Sequence, residues 1–218
     1  MTGTLRALAL RMVDIRPYRA GDLDKLYDIC LKTGDSGADA THLYRDPKII
    51  GHVYAGAYGV LSPETALMVE DGEGVGGYII GPTDTYVFEK RCEAEWWTPL
   101  RACYADPSGD PKSWSHDDRM AHLIHHPDRT PRRINEIYPA HLHINLLPYF
   151  QGQGLGKRLV DLWLDKVSAM GARGACLGTG ESNPRSVRFY RAYGFHEVER
   201  FGDAKEGILF GIALPRQA

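Results

Sequence analysis

A chain of 218 residues, 43% of them hydrophobic, is long enough to bury a substantial core. Its formal charge of −2, from 26 Lys plus Arg against 28 Asp plus Glu, supplies no basic field for nucleic acid or an anionic membrane surface. No apolar run approaches the roughly 20 residues of a membrane span, and the stretch from Leu5 to Leu10 is too short for a signal-peptide core. Cys30, Cys92, Cys103 and Cys176 show no CxxC spacing, so they read as reduced thiols of a cytoplasmic protein.

The first eleven residues read as a disordered leader, with the domain proper spanning 12–218 and Met12 as an alternative start. Met12 to Arg16 reads as a strand. A helix then opens at Ala20-Gly21-Asp22-Leu23 and carries Leu23, Leu26, Tyr27, Cys30 and Leu31 at helical spacing until Gly34. A Gly-interrupted helix is expected over Ile49 to Tyr58. Ala66 to Glu70 and Gly76 to Ile80 form a hairpin around the Asp71-Gly72 turn signal. Residues 82–139 then form a long insert rich in aromatic, His and Pro residues, with helical patches near Tyr86 to Arg101 and Ser115 to Ile124. A structured insert of this length is expected to be functional, as a lid over a substrate or as a homodimer surface. The remainder alternates: a strand (His141 to Leu147), a helix (Gly154 to Met170), a strand (Gly174 to Gly178), a helix (Pro184 to Tyr193) and two strands (Phe195 to Phe201, Gly207 to Leu214). That alternation predicts an α/β fold, a mixed sheet with helices on both faces.

The stretch Gln151-Gly152-Gln153-Gly154-Leu155-Gly156 falls at a strand-to-helix turn, where open backbone N–H groups and the helix dipole favour an anion such as a pyrophosphate. A turn that merely needs glycine is the plain alternative. A dinucleotide fingerprint would need glycine at Lys157, and a P-loop would need glycine at Gln151 and Ser or Thr at Arg158, so both fail. Gln-x-x-Gly-x-Gly on Gln151, Gly154 and Gly156 resembles the coenzyme A loop of the GNAT superfamily of acetyl-CoA-dependent N-acetyltransferases, and Pro148 stands where that family often carries proline. The segment from Ser182 to Phe195 strengthens the resemblance. Asn183 is a plausible helix cap, Pro184 follows at the first helical position, Tyr190 comes seven residues after Asn183, and Gly194-Phe195 closes the helix. The hairpin from Val69 to Gly81 and the segments from Thr83 to Trp97 look like the acetyltransferase-like C-terminal domain of O-GlcNAcases, with the similarity extending over most of residues 12–212.

The resemblance implies a GNAT fold with the long insert between its third and fourth strands, acetyl-CoA as co-substrate, no metal, and transfer to an amine within a ternary complex. A small-molecule or peptide amine would be the acceptor; nucleic acid and membrane are not expected as partners. By the same resemblance, Leu146, Leu147, Gln151, Gly152, Gln153, Gly154, Leu155, Gly156, Lys157, Asn183, Ser186 and Tyr190 would contact the coenzyme. Leu146 would polarise the thioester through its N–H, and Tyr190 would protonate the leaving thiolate. His141 and His143 share one face of a strand, and a neutral imidazole suits amine deprotonation, which makes His143 the candidate base. Asp35 and Asp84 are comparable candidates, and with His141 they could instead bind the acceptor. His122 and His126 lie at i, i+4, a spacing that can bind zinc, yet Pro127 ends the helix and no acid follows at metalloprotease spacing. The competing reading is a non-catalytic CoA-binding interaction module related to the O-GlcNAcase domain.

Overall fold

The computed structural model describes residues 12–202 and 204–216; the leader read over residues 1–11 lies outside the described residues. The strands are β1 (Asp14–Pro17), β2 (Leu67–Asp71), β3 (Gly74–Ile80), β4 (Ala140–His141), β5 (His143–Leu146), β6 (Gly174–Gly180), β7 (His196–Phe201) and β8 (Gly207–Ala213). The helices are α1 (Leu23–Lys32), α2 (Ile49–Tyr54), α3 (Gly56–Leu61), α4 (Thr85–Arg91), α5 (Thr98–Arg101), α6 (His116–His125), α7 (Arg132–Asn135), α8 (Leu155–Ala169) and α9 (Pro184–Tyr193). Two corrections to the sequence reading matter for function. The helix expected over Ile49 to Tyr58 breaks at Ala55, whose φ of −139° leaves the helical region. The strand expected over His141 to Leu147 is divided at Leu142.

That division organises the molecule. One half-sheet runs β1-β2-β3-β5, all antiparallel; the other runs β4-β6-β8-β7, with β4 parallel to β6. Residues 140–146 therefore form a single extended segment that starts in one half and finishes in the other. The last bond joining it to β6 is Leu142 N–H to Cys176 O at 3.1 Å; beyond it β5 follows β3 and parts from β6. Gly81 permits the crossing, because a Cβ there would sit 1.8 Å from the His141 carbonyl oxygen.

Helices anchor both sides of the opening. The buried apolar stripe of α8 (Leu155, Leu159, Val160, Trp163, Leu164, Val167) recurs at helical spacing and packs into one core with Ile79, Leu142 and Phe210. At about 1.5–3 kcal/mol for each such side chain, that burial holds the helix N-terminus in place. A second core, built from α1, α2, α3 and the insert, closes over the other face through Leu26, Ile49, Tyr58, Phe88 and Ile124. Between α4 and α5 a π-helical turn, Cys92–Trp97, keeps the insert continuous as a helix over 85–101.

Candidate active site

The divided strand separates two cavities. The first, of about 600 Å³, is walled by Ile144, Asn145 and Leu146 of β5, the loop Gln151–Lys157, and Ser182–Ser186 with Phe189 and Tyr190 of α9. Thr33, Ser36 and Gly37, at the end of α1, complete it, and a Ser36–Ser182 hydroxyl contact of 3.2 Å spans its two walls. The second cavity, of about 650 Å³, contains His141, Leu142 and His143 of the same segment, Cys176 and Leu177 of β6, and Tyr54 and Tyr58. Phe88, Glu89, Cys92, Trp97, Leu123 and residues 127–131, all from the insert, line it as well; residues 82–139 contribute nothing to the first cavity.

The first cavity is built to hold an anion. Gly154 caps α8 at φ +75°, and Gly152 has φ +76°, both in the left-handed region where a side chain would be strained. No side chain caps α8, so the N–H groups of its first turn stay open toward the loop, with the positive end of the dipole behind them. A Cβ placed on Gly154, a residue that lines the cavity, would meet no protein atom within 4 Å. Arg185 adds a cationic group to the wall; Lys157 lines it too, with its ammonium paired to Asp161 at 2.8 Å. This donor set fits a pyrophosphate such as that of coenzyme A.

Other residues expected at the coenzyme divide sharply. Gln151 lines the cavity, but its amide ties the loop to the strand: Nε2 donates to the Leu146 carbonyl at 2.6 Å, and Oε1 accepts from Arg185. Asn183 uses Oδ1 to cap α9 through the Ser186 N–H at 3.0 Å, which leaves its NH2 for the cavity. Leu147 has no backbone donor to offer, since its N–H is bonded to Gly76 O at 2.9 Å. That same bond fixes the ladder alternation, so the Leu146 N–H points away from β3, into the opening. Gln153 is exposed and donates to Tyr149 O, and the Leu155 side chain is core; neither lines the cavity. Tyr190 is buried among Phe189, Phe195 and Phe210, and burial raises its phenol well above the ordinary value despite a hydrogen bond to Ser186, so it stays protonated at neutral pH.

In the second cavity a hydrogen-bonded chain joins residues far apart in sequence. Thr85 Oγ1 donates to the Pro139 carbonyl at 2.8 Å, which leaves it to accept from His141 Nδ1 at 2.8 Å. His141 Nε2 then carries the lone pair and accepts from the Tyr58 hydroxyl at 2.7 Å. The Tyr58 oxygen in turn accepts from His143 Nε2 at 3.0 Å, so His143 Nδ1 is left holding a lone pair. Burial depresses both imidazoles below their usual range, to about 4 for His143 and about 3 for His141, where the neighbouring His143 adds a smaller push. Both are neutral at pH 7. Cys92 and Cys176 also face this cavity, with burial pushing each thiol up to about 12, so neither supplies a thiolate.

Sequence reasoning missed Tyr58 and Thr85. The only local signal was the spacing of Tyr54 and Tyr58, four residues apart, in a helix the fold then breaks. Asp35 and Asp84 lie elsewhere: neither lines either cavity, and both are exposed. Asp84 is spent as the cap of α4, its Oδ1 accepting the Val87 N–H at 3.0 Å, while Asp35 sits in a turn bridged to Ala38.

A divided strand, a Gly-rich turn at an uncapped helix and a second helix facing it enclose one cleft with an anion-binding end. The family model described as acetyltransferase (GNAT) family matches residues 13–195, and the chain belongs to that family of acyltransferases. It is similar to the solved structure of SsHAT, with a TM-score of 0.84 and 33% identity over 92% of this chain and 98% of that one. It is 25% identical to the protein O-GlcNAcase of Rattus norvegicus over 94% of its own length, and spans 22% of that much longer protein. A mycothiol acetyltransferase of Geodermatophilus obscurus is 28% identical over 90% of this chain and 68% of the relative.

Proposed function

We propose that this protein transfers an acetyl group from acetyl-CoA directly to an amine, with the coenzyme in the first cavity and the amine in the second. One observation carries the reading: residues 141–146 present His143 to one cavity and the Leu146 N–H to the other, three residues apart on one strand. The open N–H groups at the start of α8, with Lys157 and Arg185, would hold the pyrophosphate, and Asn183 and Ser186 the pantetheine arm. When bound, acetyl-CoA supplies the activated acetyl group. The Leu146 N–H donates to the carbonyl oxygen as charge develops on it, the kind of placed donor that favours a transition state over its ground state.

His143 takes the proton released as the amine nitrogen attacks. A base held near 4 is too weak to deprotonate a free ammonium, so the amine enters as its neutral fraction and becomes acidic only on bonding to carbon. Tyr58 and His141 fix the tautomer that leaves His143 Nδ1 available. The Tyr190 hydroxyl donates a hydrogen bond to the departing thiolate and stabilises its charge as the thioester bond breaks. The raised thiols of Cys92 and Cys176 favour this direct route over an acyl-cysteine intermediate. The insert, 82–139, roofs the amine side, and an amine or peptide reaches the strand beneath it.

The test is coenzyme A release measured with a panel of aliphatic, aromatic and peptidyl amines, comparing the wild type with His143→Gln. The variant should lose about 10²–10⁴-fold in turnover while its acetyl-CoA Kd stays within twofold. Equal turnover in the variant would remove His143 from the chemistry. An equal loss of acetyl-CoA affinity would place it at the coenzyme instead.

A further inference from the structure

The sequence lacks an acid at the spacing that normally completes a His-x-x-x-His zinc site, but the fold supplies one from upstream. Asp106, in the irregular segment between α5 and α6, meets His122 and His126 of α6, and one ligand atom from each lies within 4.8 Å of the others. His126 Nε2 donates to Asp106 Oδ2 at 2.7 Å, and His122 Nδ1 lies 3.5 Å from Oδ1. The two rings stand 4.4 Å apart, and Trp114 packs on His122 at 4.8 Å. His122 Nδ1 is shielded from solvent and has no hydrogen-bond partner, so a buried lone pair or N–H is aimed at the carboxylate without a bond to it.

We propose that Asp106, His122 and His126 bind a divalent first-row transition ion, zinc by preference, outside the acetyl-transfer cleft. The donors are two imidazole nitrogens and one carboxylate, a set that suits zinc and disfavours magnesium or calcium, which take oxygen ligands. Tetrahedral zinc at about 2.0–2.2 Å from each donor needs ligand atoms roughly 3.3–3.6 Å apart. The three donor atoms lie within 4.8 Å of one another, so small side-chain rotations would bring them to that spacing as the ion replaced the proton between His126 and Asp106. The fourth position faces solvent, because His126 and Asp106 are exposed. Bound metal would pin the segment between α5 and α6 to α6, which packs on α2 at the amine-side cavity.

The experiment titrates Zn²⁺ into the full chain at pH 7.5, followed by calorimetry and thermal unfolding, with Co²⁺ absorption as a second probe. The wild type should bind one saturable ion and, at a hundredfold excess over Kd, gain about 5 °C or more in Tm. A His122→Ala/His126→Ala double variant should lose both responses, and Asp106→Asn should weaken binding about tenfold or more. Should the double variant fail to fold, Asp106→Asn decides, since that residue is exposed. Binding of equal strength in the wild type and these variants, or no saturable binding in any of them, would overturn the proposal. The readout does not pass through acetyl transfer, so it stands or falls separately from the proposed activity.

Discussion

Gly154→Val should weaken acetyl-CoA binding by about 10²–10⁴-fold. The estimate follows from losing two charge-assisted hydrogen bonds to the pyrophosphate, at about 1.5–3 kcal/mol each, or roughly 3–6 kcal/mol together. The geometry explains why the fold should survive. A Cβ at Gly154 meets no protein atom within 4 Å, and Gly154 lines the cavity where the phosphates would lie. The remaining cost is the φ of +75°, about 1–2 kcal/mol for a residue with a side chain. That corresponds to a fall of about 2–8 °C in Tm for a chain of this size, which thermal unfolding would report separately from calorimetry. Unchanged acetyl-CoA affinity in a folded Gly154→Val protein would take the coenzyme out of this loop.

Tyr190→Phe should lower turnover by about 10²–10⁴-fold and leave acetyl-CoA affinity nearly intact. The ring keeps its contacts with Phe189, Phe195 and Phe210, and only the hydroxyl beside Ser186 is lost. Burial keeps the phenol protonated and makes it a weaker acid than a thiol, so Tyr190 serves the departing thiolate as a hydrogen-bond donor that stabilises its charge. The measurement belongs under conditions where chemistry limits the rate. Unchanged turnover would reduce Tyr190 to packing, while equal losses of binding and turnover would mean that the hydroxyl chiefly holds the coenzyme.

What the sequence made legible was whatever local chemistry determines. Pro184 at the first helical position, the Asn183 cap and Gly194 at φ +114° bound α9 with neighbouring residues alone, and the helix spans Pro184–Tyr193. The stripe of α8 and the period-two placement of His141 and His143 are equally local. The division of the strand at Leu142 is not, because it depends on where β6 and β3 stop competing for one backbone. The Tyr58 contact to both histidines spans more than 80 residues and requires the unforeseen break at Ala55. Asp84 illustrates a simpler ambiguity: an acid before a helix is a cap as readily as it is a base, and here its Oδ1 caps α4. Asp106 escaped notice because metal-site spacing rules look along the helix, whereas this acid arrives from the preceding segment.

In the proposed reaction the acetyl group passes directly from coenzyme in one cavity to amine in the other. Its most direct test is a single-turnover reaction with isotope-labelled acetyl-CoA, with intact-protein and small-molecule mass spectrometry on the same sample. Under direct transfer, label passes to an added amine as the amide and the protein mass never rises by an acetyl group. An acetylated protein that forms before any acetylated amine, and at a rate sufficient for turnover, would contradict it.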